Sequence, residues 1–522
     1  MELDQVGATF GAVLRARAEN QPQAVAMVLD DRVTDYATFD RHASQVANGL
    51  IGIGAGRGQR VAWLGKNSDL YFELLLGAAR AGVVTIPLNW RLAPAEIATI
   101  LADADIAALF VGPGFGPMVP LLGLPDGVPC VSIDGAAPAL PDFIVWRDGQ
   151  SAEAPASLAG PDDTVLMMYT SGTTGVAKGV ELSHANMATM LASGSQRGAL
   201  AVGPEDRMMV CMPVSHVAGT DSGLVGLSNG ATVIVMAEFD PPRLVELIPR
   251  HRITWMMLVP AAIRLLVQHP AAAQADFGTL RTLVYGASPI AEALIEQARA
   301  ACPNAGLWQA YGLTEVSGGG TLLDPASHDP ALGKLRSCGK PYPGFALRIV
   351  DLDGAEVPGG TVGEIVLRAG AVMKGYWRNP AATGAAFFPG GWLRTGDAGW
   401  MDGDGYVYIH DRVKDMIVSG GENVYPAEVE NALYGHPAIA DVAVIGVPDA
   451  KWGETVKALV VLKPGAEADE AEIVAYARAR IAGFKVPRSV EFIEALPRNA
   501  AGKILRRTLR EPYWQGHQRR VG

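Results

Sequence analysis

The stretch TSGTTGVAKG, residues 170–179, decides how this chain is read. It follows the apolar run VLMMY. In ten residues it gathers three glycines (Gly172, Gly175, Gly179), four hydroxyls (Thr170, Ser171, Thr173, Thr174) and one cation, Lys178. Glycines let backbone N–H groups close on anionic oxygens, hydroxyls add donors and the lysine adds charge. A strand running into such a loop therefore reads as a phosphate cradle. The P-loop template needs a lysine directly after glycine, with a hydroxyl next. Lys178 follows Ala177 and precedes Gly179, so that template fails while the phosphate chemistry stands.

Outward from this loop, helical and strand patterns alternate. TFDRHASQVANGLIGIG, DLYFELLLGAARAG and SHANMATMLAS read as helices. RVAWLG, VVTIPL, TVIVM and ITWMMLV read as buried strands, and LRTLVYGAS as a strand feeding the helix PIAEALIEQARAAC. The alternation predicts mainly parallel sheets covered by helices. After about residue 340, short strands separated by Gly/Asp turns (ALRIVDLDGAEV, GEIVLRAG, GYVYIHD) predict a small antiparallel, barrel-like part. From about 415, AEVENALYGH, VAVIGV, VKALVVL, EAEIVAYARARIAGF and SVEFI predict a compact α+β module. The expected fold is α/β. A large N-terminal domain covers 1–412, parallel α/β to about 335 and β-rich over about 336–412, and a smaller C-terminal domain covers 413–522. The Pro/Ala/Gly-rich stretch 113–160 reads as irregular surface connection.

Composition narrows the function. With 49% hydrophobic and 19% charged residues the chain has ample core, and a net charge of −11 argues against a general nucleic-acid-binding face. Cys130, Cys211, Cys302 and Cys338 show no paired spacing, which suggests reduced thiols in a cytoplasmic protein. No apolar run is long enough for a spanning helix; peripheral membrane contact and a homodimer stay open. GIGAGRG, 52–58, precedes a strand instead of following one, so it is no dinucleotide fingerprint. DGDG, 402–405, lacks the other calcium-loop ligands and reads as a hairpin turn.

Four further segments extend the phosphate reading. TSGTTGVAKG resembles the signature loop of the adenylate-forming superfamily, which holds acyl-CoA synthetases, aryl-CoA ligases, luciferases and nonribosomal adenylation domains. Ala177 stands where the family usually has proline, which removes no side-chain chemistry. QAYGLTE (309–315) resembles the adenine and α-phosphate motif, and LRTGD (393–397) the ribose motif. DRVKDMIVSGGENVYPAEVE (411–430) resembles the hinge region, and PRNAAGKILRR (497–507) the catalytic-lysine motif. The five motifs stand in family order, and SGGENVYPAEVE and DAKWGE are most similar to bacterial fatty-acyl-CoA synthetases.

The resemblance implies ATP, Mg²⁺ and coenzyme A as cosubstrates or cofactors and a small-molecule carboxylic acid as substrate. It implies a mobile C-terminal domain pivoting at Lys414. Lys503 would bridge the carboxylate and the α-phosphate, Thr314 would donate to that phosphate, and Glu315 would hold Mg²⁺. The nucleotide would lie against the loop residues already named, against Gly286, Ala287 and Ser288, and against Gln309, Ala310, Tyr311 and Gly312. Asp397 would accept from the ribose hydroxyls, with Arg412 as its cationic companion. For coenzyme A the expected contacts are Gly420, Gly421, Trp452, Phe484, Lys485 and Arg80.

His216, in MPVSHVAG, falls where relatives place a side chain gating the acyl pocket, with Val217, Ala218, Gly312, Gly318 and Gly319 around it. These small residues leave space and show no charge to read a polar tail. They imply a medium- or long-chain fatty acid, with a cinnamate- or benzoate-type acid as the alternative. An amino-acid-adenylating enzyme loading a carrier protein usually demands an aspartate in the segment PVSHVAG, and none stands there.

Overall fold

The computed structural model describes residues 9–135, 137–156, 159–171, 177–412, 415–419, 422–498 and 504–515. It divides into two compact units: Met1–Ala346 with Leu367–Leu393, and Leu347–Val366 with Arg394–Gly522.

Two sheets organise the described residues of the first unit. One has nine strands, ordered Lys340–Pro341, Gly320–Leu323, Gly306–Gly312, Thr282–Gly286, Trp255–Leu258, Arg207–Val210, Thr232–Val235, Val25–Leu29 and Arg32–Asp35. The other has seven, ordered Gly375–Tyr376, Ala177–Ser183, Thr164–Ser171, Val84–Pro87, Arg60–Leu64, Ile106–Val111 and Cys130–Ser132. The interiors are parallel, as alternating strand and helix signals require; the edges are antiparallel except at Cys130–Ser132, which runs parallel to Ile106–Val111. Central strands such as Arg60–Leu64 are buried throughout, which is why they read as unbroken apolar runs.

Local signals hold at the helix ends. Ser68 caps Asp69–Ala81, accepting from the Leu70 N–H at 3.2 Å, and Gly82 closes that helix at φ 71°. Ser183 caps His184–Arg197, accepting from the Asn186 N–H at 3.1 Å, and His184 packs at the helix start. The stretch 113–160 is more structured than expected. It supplies the edge strand Cys130–Ser132 and a helix, Phe143–Asp148, whose Trp146 packs on Gly49 and Phe110. Its turn residues masked an amphipathic turn anchored by aromatic rings.

In the second unit, Glu422–Val424, Ile417–Ser419, Gly453–Leu462 and Ile439–Asp449 form a sheet, with Ser489–Phe492 parallel to Gly453–Leu462. The helices Pro426–Tyr434 and Glu470–Arg478 share its core through Val429, Leu433 and Ile473. Val362, Ala398, Met416, Val418 and Tyr425 form one apolar cluster. That cluster ties strand residues expected before a boundary at 412/413 to residues expected after it, so the compact unit begins earlier than the texture of the sequence suggested. The strands Gly363–Arg368 and Trp392–Met401 carry the chain between units.

Three cysteines, Cys211, Cys302 and Cys338, are buried. Cys130, Cys211 and Cys302 carry unbridged thiols whose pKa burial raises, to about 12 at Cys211 and about 11 at Cys302. No helix among the described residues is long and apolar enough to cross a membrane.

Candidate functional site

The loop that opened the sequence reading joins two antiparallel strands, with Thr170 opposite Lys178 and Ser171 opposite Ala177. Gly172, Thr173, Thr174 and Gly175 lie outside the described residues, as do Lys414, Gly420, Gly421 and Lys503; the side chains of Ser171 and Arg412 do as well. Lys178 leads directly into a cluster. Its Nζ stands 4.9 Å from the centre of the Tyr376 ring, and the Tyr376 hydroxyl donates to Glu315 Oε1 at 2.9 Å. Tyr376 sits on the strand Gly375–Tyr376, paired with Ala177–Ser183 at Val180. Glu315 belongs to the short 3-10 turn Thr314–Val316, which follows Gly306–Gly312 on the other sheet. The Met373 N–H also donates to the Glu315 carbonyl at 2.9 Å. One tyrosine thus links the lysine of one sheet to the carboxylate following a strand of the other. Burial first, and Glu315 second, raise the Tyr376 pKa, so it stays a protonated donor.

The loop ends nearby demand glycine. A Cβ at Gly286 would stand 2.1 Å from the Ala310 carbonyl oxygen, and one at Gly312 would stand 2.1 Å from that of Gly318. Both close the C-terminal ends of parallel strands, where open α/β sheets hold ligands. Ala287 follows at φ 66°, and with Ser288 it is exposed at that edge. Gln309 Oε1 is buried without a hydrogen-bond partner among the described residues. Gly286, Ala287, Gln309, Ala310, Gly312, Thr314 and Glu315 thus lie on or just after two adjacent strands.

His216 caps the start of the helix Val217–Asn229 without a side-chain cap bond. Its imidazole is solvent-accessible, yet desolvation first and Arg91 second lower its pKa. Val217 meets Gly318, where a Cβ would stand 3.2 Å from Cγ1, and Gly319 lies against Met190 and Phe345. Val217, Gly312, Gly318 and Gly319 therefore lie together.

Beside Gly318 lies a group the sequence reading missed. Asp221, one turn after Val217, is 7% exposed, and its Oδ2 stands 3.1 Å from where a Gly318 Cβ would be. Its Oδ1 is buried with no hydrogen-bond partner among the described residues. The residues named from the sequence around this position were all small or apolar apart from His216, and Asp221 adds a polar group to them. The signal was present as an aspartate in an otherwise small and apolar helix, two residues past the segment MPVSHVAG.

In the second unit Asp397 is 5% exposed and opposes Arg412 across an antiparallel pair. Its N–H donates to Thr395 Oγ1 at 3.0 Å. Ser419 pairs with Gly453, which sets Trp452 next to the strand that precedes Gly420. The Trp452 ring has Lys451 at 4.6 Å and Arg488 at 5.0 Å. Phe484 is exposed, and Lys485 is engaged with Glu428 at 2.6 Å.

Arg80 is a correction. Its guanidinium is 6% exposed and donates to the Asp40 carboxylate, to Ser44 Oγ at 2.6 Å and to the Asp40 carbonyl at 2.8 Å. Burying a cation demands such fixed partners, and they leave it nothing for a ligand phosphate.

The family described as AMP-binding enzyme matches residues 14–377, and the AMP-binding enzyme C-terminal domain matches 428–503. The chain belongs to the AMP-binding enzyme family. Members activate a carboxylic acid as an acyl-adenylate, and this AMP-binding enzyme is such a ligase. It is 39% identical to a fatty acid–[acyl-carrier-protein] ligase of Streptomyces coeruleorubidus, over 97% of this chain and 96% of that one. It is 39% identical to a feruloyl-CoA synthase of an Amycolatopsis species, over 95% and 97%. The solved Mycobacterium tuberculosis fatty acyl CoA synthetase matches with a TM-score of 0.79 and 36% identity, over 98% and 99%.

Proposed function

We propose that this AMP-binding enzyme is an acyl-CoA synthetase acting on a largely apolar carboxylic acid. The reading rests above all on the Lys178–Tyr376–Glu315 row, a cation and an oriented carboxylate at the loop ends of two parallel sheets. A substrate carboxylate oxygen attacks the α-phosphorus of ATP, the bond from that phosphorus to the β-phosphate oxygen breaks, and pyrophosphate leaves. The sulfur of coenzyme A then attacks the acyl carbonyl, the bond to AMP breaks, and the thiol proton is released. Adenylation is needed because a carboxylate is a poor electrophile.

Phosphoryl transfer depends on position and charge neutralisation. Lys178 and the loop donors hold the outer phosphates. Lys503 and Thr314 address the α-phosphate, Gln309 presents its acceptor to the adenine, and Asp397 takes the ribose hydroxyls. Glu315 suits Mg²⁺: the described residues hold no cluster of three metal-binding side chains, and Mg²⁺ takes one or two carboxylates with phosphates and water. Its contribution when bound is to offset phosphate charge. Trp452 between Lys451 and Arg488 suits an adenine ring with phosphates nearby, which favours coenzyme A as acceptor. A carrier-protein thiol is the second reading, which the Streptomyces relative favours.

The test is AMP release with ATP, an acid panel and either coenzyme A or a carrier protein. Acid-dependent release that coenzyme A accelerates is expected. Lys503→Ala should lower adenylate formation by about 10²–10³-fold while sparing thioester formation from preformed acyl-AMP. Equal loss of both halves, or no acid dependence in the unaltered enzyme, overturns the reading.

A further inference from the structure

Asp221 poses a chemical problem that the described residues do not solve. The side chain is 7% exposed, Oδ1 is shut away from water without a partner, and the described residues form no hydrogen bond or ion pair with it. Nearby hydroxyls are committed elsewhere: Tyr71 and Thr220 share a 2.8 Å hydrogen bond, and Thr220 donates to the Val214 carbonyl at 2.8 Å. An unpaired ionised carboxylate is costly to bury, so the group is held protonated; burial raises its pKa well above the ordinary range. A neutral carboxyl is both donor and acceptor, and here both capacities lie idle.

Its place gives this meaning. Val217 and Asp221 are four residues apart on the Val217–Asn229 helix, so they share a face, and both reach Gly318. About 7.5 Å of helix separates His216 from Asp221, the span of several carbon atoms beyond a carboxylate held near the histidine. Val217 and Gly318, which lie beside Asp221, and Gly319, which follows, carry no hydrogen-bonding side chain.

Resting on the acyl-CoA synthetase reading, we propose that Asp221 is a specificity-determining residue that pairs with a hydroxyl group on the hydrocarbon part of the acid, so the preferred substrate is a hydroxylated acid and not a plain fatty acid. The carboxyl donates to and accepts from that hydroxyl, which completes both partners. An amine would instead require the carboxyl to ionise with no other cation beside it. A plain hydrocarbon leaves the carboxyl unsatisfied, and sites built to bond a hydroxyl discriminate strongly against analogues lacking it.

The full-length enzyme is assayed by acid-dependent AMP release on matched pairs: para-hydroxycinnamate against cinnamate, omega-hydroxydecanoate against decanoate, and omega-aminodecanoate as the cationic analogue. The expected result is a kcat/KM at least about tenfold higher for the hydroxylated member of one pair. Asp221→Leu should collapse that ratio by about tenfold or more, and Asp221→Asn, which keeps a donor and an acceptor, should restore part of it. A general folding defect would lower both members of a pair together and leave the ratio unmoved; that result overturns the proposal. So does a preference for the plain or the amino acid in every pair. If plain acids react without hydroxyl preference, only this inference falls. If no acid releases AMP, the synthetase reading falls and takes this one with it.

Discussion

Two neighbouring helices in the first unit bury acidic groups in opposite ways. On Asp69–Ala81, Arg32 donates to Asp69 at 2.6 Å, and Glu73 meets Arg147 at 2.7 Å and His42 at 2.8 Å. Arg80 on the same helix is closed by Asp40. On Val217–Asn229, packed so close that a Cβ at Gly223 would strike Phe72, Asp221 has no partner among the described residues. Even on the first helix burial outweighs pairing, since desolvation raises the Asp69 pKa ahead of the lowering bonds from Arg32. The difference separates charges that hold the fold from a group kept for something that arrives later.

The sharpest way to break the comparison is to unpair the first helix. Arg147→Leu leaves Glu73 buried without its guanidinium and should cost about 3–5 kcal/mol in urea unfolding. A loss under about 1 kcal/mol would mean that this pairing does not hold the helix.

His184 supplies a third kind of buried group, one made tolerable by staying neutral. It is 1% exposed, its Nδ1 accepts the Phe10 N–H at 3.3 Å, and desolvation lowers its pKa to about 4, with Asp163 opposing. The unfolded chain takes up the proton near pH 6.5 while the folded one resists until about 4. Stability is therefore full above pH 6.5 and falls as pH drops through that window, by about 3 kcal/mol at its lower end. His184→Phe should flatten this part of a stability–pH curve measured by denaturant midpoints.

Asp221→Leu should act in the reverse sense to Arg147→Leu. Holding Asp221 protonated costs stability above its unfolded pKa of 3.8, so the variant should gain about 2 kcal/mol at pH 7 and less at pH 4. A destabilised variant at neutral pH would place Asp221 with the fold-holding charges. The smallest effect is expected at Tyr376→Phe, which frees Glu315 of one donor. The KM for ATP should rise about fivefold with the melting temperature nearly unchanged, about 1 kcal/mol of oriented hydrogen bonding.

The parallel sheets were legible because Arg60–Leu64 and its neighbours are buried on both faces and so read as continuous apolar runs. The glycines at 286 and 312 were legible because close backbone approach leaves no other choice. Three features were not. Tyr376 sits on a two-residue strand with no periodicity of its own, and it reaches Glu315 only because a distant segment pairs with Ala177–Ser183. Arg80 looks like any helix cation until Asp40 and Ser44 are folded around it. Nothing local around Arg506 and Arg510 reports that Arg506 meets Glu430 at 2.7 Å and Arg510 meets Asp415 at 3.0 Å. In each case the partner lies far along the chain or in another element, and no local pattern reports it.

The sequestered sulfurs have a practical side. Thiolates, not thiols, react with disulfide reagents and alkylators, and at neutral pH Cys211 and Cys302 are held almost wholly in the unreactive form. A chromogenic thiol titration of the cosubstrate can therefore run with the native catalyst in the cuvette, those two sulfurs staying dark until denaturant is added.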